Sequence, residues 1–124
     1  MIEHICPNPG APYADCVVVE DKYLYLSGLT SEDLDTGAAI GGDITTQTRI
    51  VLENLKTLLE RHGSDMDHVI RCEIVLTDFS ERPEMNKEYV KHFDPAHMPS
   101  RICYGNVVLS GENKIEILAT AIKK

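Results

Sequence analysis

The chain has 124 residues, 20 acidic and 12 basic, for a formal net charge of -8. That length suits one domain with one core, and 43% hydrophobic against 26% charged residues is ordinary globular composition. The acidic balance argues against nucleic acid as a partner, because affinity for phosphate backbones comes largely from Lys and Arg, and the basic residues are scattered apart from Lys123-Lys124.

No segment approaches the ~20 apolar residues needed to span a bilayer. The start, Met1-Ile2-Glu3-His4-Ile5-Cys6-Pro7, lacks the basic residues and apolar run of a signal peptide. A cytoplasmic protein without membrane contact is therefore expected. The cysteines, Cys6, Cys16, Cys72 and Cys103, form no C-x-x-C and no dense disulfide framework. His4, His62, His68, His92 and His97 show no ligand spacing such as H-E-x-x-H, so no metal site is expected.

In chain order, Val17-Val18-Val19 and Tyr23-Leu24-Tyr25-Leu26 are β-branched or aromatic runs separated by Glu20-Asp21-Lys22, the pattern of a hairpin. Ser27-Gly28 ends the second strand. Residues from Thr30 to Gly42 are turn-rich and read as a loop. Asp43 has the chemistry of a helix N-cap. Ile44, Thr48, Val51, Leu55, Leu58 and Leu59 then recur at helical spacing, predicting a helix over 44–62 that stops at Gly63.

Residues 68–77 alternate, with Ile70, Cys72, Ile74 and Leu76 on one face of a strand. Ser80 is the expected cap of a second helix with Pro83 in its first turn, and Met85, Tyr89 and Phe93 follow at i, i+4, i+8. Arg101–Leu109 and Lys114–Ile122 are the expected last strands, joined by Ser110-Gly111-Glu112-Asn113. The order β-β-α-β-α-β-β makes one α+β domain over 1–124, a mixed sheet with two helices packed on one face. The other face keeps apolar side chains from among Ile102, Tyr104, Val108, Leu118 and Ile122, which predicts self-association.

Catalytic candidates are few. There is no G-x-S-x-G, no P-loop and no G-x-G-x-x-G. Arg101, at a strand start, can grip a carboxylate in bidentate fashion, although its position alone favours an ordinary surface arginine. Cys103 shares its face, and its sulfur reads as a structural thiol. Glu116 interrupts an apolar strand and can activate a water in a partly dry cleft. Tyr13, after Gly10-Ala11-Pro12, can close over a pocket or simply pack in its loop.

In this order the residues resemble the RidA/YjgF family, also known as L-PSP endoribonuclease-like, over nearly the whole chain. The resemblance runs through Ala11-Pro12-Tyr13, Tyr25-Leu26-Ser27-Gly28, Gln47 to Asn54-Leu55, Val75-Leu76-Thr77-Asp78-Phe79 and Met85-Asn86-Lys87-Glu88-Tyr89. Its specific part is Pro99-Ser100-Arg101 with Cys103, like P-x-R-x-C, together with Lys114-Ile115-Glu116-Ile117, like K-I-E-I. The resemblance implies a chorismate-mutase-like fold, a homotrimer with pockets between subunits, and cofactor-free hydrolysis of reactive enamines and imines such as 2-aminoacrylate to 2-keto acids and ammonia. It assigns Arg101 to the substrate carboxylate and Glu116, with the backbone at Cys103, to the attacking water. Tyr13, Ser27, Gly28 and Asn86 would shape the pocket.

Four stretches depart from the family pattern: Ala14-Asp15-Cys16 for Ser-Gln-Ala, Leu29-Thr30-Ser31 for Gln-Ile/Val-Pro, Gly105 for a glutamate, and Leu118 for a second acid. They leave open a relative tuned to another enamine acid of the aminomuconate type, or a trimeric carboxylate binder without turnover. A ribonuclease fits least, because no pair of histidines offers a general acid and base.

Overall fold

The computed structural model describes residues 1–124. Its elements are β1 (Ile2–Ile5), β2 (Cys16–Val19), β3 (Tyr23–Leu26), α1 (Ile44–Arg61), β4 (Val69–Leu76), α2 (Arg82–Tyr89), β5 (Ser100–Tyr104) and β6 (Ile115–Ile122), with short 3-10 turns between several of them. Six strands form one sheet in the order β1-β2-β3-β6-β4-β5. Only β4 and β5 run parallel, joined through α2; every other pair is antiparallel.

The expected hairpin is present as β2–β3. Its turn holds Glu20 and Asp21 at φ 53° and 50°, the left-handed geometry that suits the twist of a tight hairpin. Asp43 caps α1, its carboxylate accepting from Thr46 N–H at 2.8 Å. Val51, Leu52, Leu55 and Leu59 turn one side of α1 into the core, against α2 and the sheet. Buried Gln47 fastens this helix to the start of β6. Its amide donates to the Gly42 and Glu112 carbonyls, and its carbonyl accepts from Lys114 N–H. On the sheet, Leu24, Leu26, Cys72, Ile74, Leu76, Ile115 and Ile117 close the same core.

Several expectations need correction. A strand, β1, exists where none was read; its Ile2 is exposed, and what fixes it is the backbone ladder to β2. Ile70 is not on the dry face. A bulge between Val69 and Arg71 turns it outward, and Val69 takes the core position. Ser80 is not the cap of α2. Asp78 caps the 3-10 turn before it, accepting from both the backbone N–H and the hydroxyl of Ser80, and α2 begins at Arg82 with Pro83 in its first turn. The strand from Arg101 ends at Tyr104 rather than Leu109, since Gly105 and Asn106 (φ 57°) bend the chain away.

Both helices lie on one face. The open face carries Tyr25, Ile102 and Tyr104, exposed by 49%, 38% and 50%, beside half-buried Leu118 and Ile122. Val108 lies in the loop beyond β5, not on this face of the sheet. No helix is long and apolar enough to cross a membrane.

Candidate functional site

The residues singled out from the sequence fall into two groups, separated by the sheet itself. The first gathers at the end of β3 and the start of β6. Leu29 continues β3 by pairing with Ile117 in a bridge with two backbone hydrogen bonds, which sets Gly28 beside Glu116. The approach is tight: a Cβ on Gly28 would stand 2.8 Å from the Glu116 carboxyl carbon. Ser27 donates its hydroxyl to the Ala14 carbonyl at 2.6 Å, and its N–H donates to the Asp15 carbonyl. The segment carrying Tyr13 is thereby tied to the strand end. Tyr13 itself is 61% exposed at the mouth of a cleft of about 380 Å³ that it shares with Gly28, Glu32 and Glu116.

An adjoining cleft of about 310 Å³ adds Asp15, Ser27 and Leu29. Asp15 and Glu32 were not read from the sequence as site residues. Glu32 sits in a loop with no periodicity, and only its placement beside Gly28 marks it. Burial, and then the nearby charge of Asp15, push the Glu32 carboxyl above its ordinary range. None of Asp15, Glu32 and Glu116 has a cationic partner, whereas Glu73, Glu81 and Glu88 each do. This end of the site gathers three carboxylates, with Arg61 lining the adjoining cleft but ion-paired to none of them.

The second group lies on β5 and α2. Arg101 pairs with Cys72 of β4, which in turn pairs with Ala119 of β6. Cys72 and Ala119 are buried under the helices, so Arg101 and Cys103 project from the helix-covered face. Glu116 pairs with Val75, between the inward Ile115 and Ile117, and projects from the open face. Within one chain Arg101 and Glu116 therefore stand on opposite faces with β4 between their strands. Arg101 is half-buried, its guanidinium carbon 4.9 Å from the centre of the Tyr89 ring. Asn86, on α2, is half-buried with a side-chain oxygen that has no hydrogen-bond donor. Cys103 is half-buried, and all four cysteines are free thiols. Burial lifts the Cys72 thiol to about 11, so it stays protonated at neutral pH.

Two other features compete for notice. A wider groove of about 580 Å³ passes Thr77, Asn106, Glu112 and Lys114, and none of the residues singled out from the sequence lines it. Asp67, Asp94 and His97 bring ligand atoms within 4.8 Å of one another at the surface, where a divalent ion could be held. Residue spacing did not reveal this trio, because two separate turns supply it. Its members already form ion pairs, and the hydrogen bond from Asp67 followed by its charge raises the His97 pKa.

The family model described as Endoribonuclease L-PSP matches residues 4–123. The chain belongs to this family, the RidA/YjgF family. The human 2-iminobutanoate/2-iminopropanoate deaminase is 30% identical over 93% of this chain and 84% of its own length. The 3-aminoacrylate deaminase RutC of Acinetobacter baylyi is 32% identical over 93% of this chain and 90% of its own. Among solved structures, a YjgF family protein of Neisseria meningitidis superposes with a TM-score of 0.86 at 27% identity, over 100% of this chain and 96% of that one. The α+β fold expected from the sequence is the fold of these RidA/YjgF relatives.

Proposed function

We propose that this RidA/YjgF protein hydrolyses reactive 2-imino and enamine acids of the 2-aminoacrylate type, in pockets closed between the subunits of a homotrimer. One observation carries the reading. The two halves of the site are complementary in charge, a cleft holding three carboxylates in no ion pair and a half-buried arginine without a carboxylate partner, yet one chain holds them on opposite faces of its sheet. A second copy, docked through the apolar open face, brings one half to the other, and closed symmetric assemblies are the usual outcome of such a face.

In the closed pocket Arg101 holds the substrate carboxylate through paired N–H donors. Glu116 and the backbone at Cys103 place a water against the C=N carbon. The new C–O bond forms as the C=N electron pair moves to nitrogen. Glu116 takes a proton from the water and passes it to nitrogen, giving a carbinolamine; it then carries the carbinolamine hydroxyl proton to nitrogen as the C=O forms and the C–N bond breaks, and a 2-keto acid and ammonia leave. An imine is already electrophilic, so positioning one water is most of the task. Gly28 leaves room for the Glu116 carboxylate, Tyr13 covers the mouth and Asn86 offers its free carbonyl. No cofactor takes part in this scheme, and with a net charge of -8 the protein is expected to leave RNA unbound.

The test is keto-acid release from imines made in situ by an amino-acid oxidase, with semicarbazide as competing trap. Wild type should outcompete the trap, and Arg101→Ala should lose at least about a hundredfold in rate while remaining trimeric by light scattering. Carboxylate binding without hydrolysis by wild type would establish the non-enzymatic binder instead.

A further inference from the structure

Arg61, Arg82 and Arg101 enter no ion pair, but Arg61 and Arg82 are exposed whereas Arg101 is half-buried. Arg49 and Arg71 each sit against a carboxylate, at 3.7 Å from Glu88 and 3.5 Å from Glu73. Arg101 meets none, although the chain carries 20 acidic residues. The face of Tyr89 lies against it, 4.9 Å from the guanidinium carbon to the ring centre. Tyr89 is the last residue of α2 and is 3% exposed. Its ring leans on Phe93 with centroids 4.8 Å apart. Its hydroxyl points into the core toward the Cys72 thiol without a well-formed hydrogen bond, and burial, ahead of the effect of Cys72, pushes its pKa upward. The ring is thus a fixed, neutral platform under a half-buried cation.

We infer that Tyr89 is the positioning residue for Arg101, holding the guanidinium by its ring face so that the in-plane N–H donors stay free for an anionic ligand. The physical reason lies in what each kind of partner occupies. A carboxylate partner uses the in-plane donors, and an incoming substrate carboxylate would have to displace it. An aromatic face attracts the cation through the ring quadrupole from above its plane and leaves every N–H unused. The platform also restricts the side chain before the ligand arrives, which lowers the ordering cost of binding. Lysine, a point charge without a plane, cannot exploit the platform in the same way.

The inference rests on the carboxylate-gripping role proposed for Arg101, so its test reads binding separately from turnover. The probe is 2-oxobutanoate, a 2-keto acid of the product class, titrated by calorimetry into wild type, Tyr89→Phe and Tyr89→Met. Tyr89→Phe keeps the ring and should keep the wild-type Kd. Tyr89→Met keeps apolar bulk without the quadrupole and should weaken binding about three- to thirtyfold, with KM for the imine rising in parallel and kcat nearly unchanged. In case Tyr89→Met does not fold, the Arg101 Nε–H proton of wild type supplies a second measurement. Ring-current shielding should move it upfield from its value in an unstructured peptide, and the 2-keto acid should shift it further. Equal affinity of Tyr89→Met and wild type, no binding by wild type, or an unshielded Arg101 resonance would each overturn the inference. If wild type binds the 2-keto acid but releases none from imines, the hydrolase reading fails on its own while the Kd series still decides the role of Tyr89.

Discussion

The two halves of the candidate site are built by different means. At the β3–β6 end, position is set by the backbone. A two-bond bridge seats Leu29 on Ile117, Ser27 ties down the segment bearing Tyr13, and the missing side chain of Gly28 admits the Glu116 carboxyl. At the β5–α2 end, position is set by side-chain packing, with Arg101 resting on a tyrosine that rests on a phenylalanine. The first half gathers carboxylates that no cation of the chain ion-pairs; the second holds a half-buried cation that no carboxylate meets. The contrast teaches that each half is left electrostatically unfinished in a way the other can complete, which a self-sufficient monomeric site would have no reason to do.

The sharpest way to break this comparison is to separate the halves genetically. Arg101→Ala and Glu116→Gln subunits, each inactive alone, should regain activity when unfolded and refolded together. Random mixing in a cyclic trimer leaves about a quarter of the pockets with both groups intact. No recovery would mean that both groups come from one chain or that the assembly is wrong. Next in size, Glu116→Gln alone should cost about a hundredfold or more in kcat, the range for losing a proton-transferring group, with KM little changed, since the substrate grip lies in the other half. Single-turnover assays separate the two effects.

Smaller effects probe the frames that hold each half. Gly105 is packed so closely against Phe79 that an added Cβ would stand 2.3 Å from the Phe79 Cβ. Gly105→Ala should therefore destabilise by about 1–3 kcal/mol, read as a lower urea midpoint. On α2, burial raises the Glu88 pKa, but the hydrogen bond from His92 and the charges of Lys91 and Arg49 outweigh it and leave the pKa lowered from 4.5. A carboxyl lowered on folding stabilises the fold above its unfolded pKa, and that stability is lost as pH falls through the folded value. Urea midpoints should accordingly fall more steeply below pH 4.5 for wild type than for Glu88→Gln. Smallest of all, replacing Glu20-Asp21 by Asn-Gly should raise stability by about 0.5–1 kcal/mol, because both positions need positive φ.

Much of the frame could be read from the sequence because it follows periodicity. The α1 stripe, the Asp43 cap and the alternation of β6 appear in the structure as the residue pattern requires. What escaped depends on partners distant in sequence. The β1 segment has only two isoleucines in four residues and owes its place to pairing with β2. The bulge at Ile70 reverses a correct alternation for one step, and no residue type announces it. The apolar run Val107-Val108-Leu109 looked like strand, but Gly105 and Asn106 had already turned the chain. For the site, the shared face of Arg101 and Cys103 followed from spacing, while Ser27, Gly28 and Asn86 were named only through the family resemblance. The opposition of Arg101 to Glu116 did not follow from spacing, since it requires the register across β4. Glu32 and Tyr89 gave no separable signal, one being a loop acid and the other a helix residue at core spacing.

The contact between Gly28 and Glu116 also constrains how this protein can change over generations. Any side chain at 28 meets the carboxyl of 116, so a drift at 28 makes the carboxylate swing away from the place it holds beside a glycine. Shortening 116 removes the group proposed to hold the water. On the proposed role of Glu116 neither change is neutral, so a change at one of the two positions calls for a change at the other.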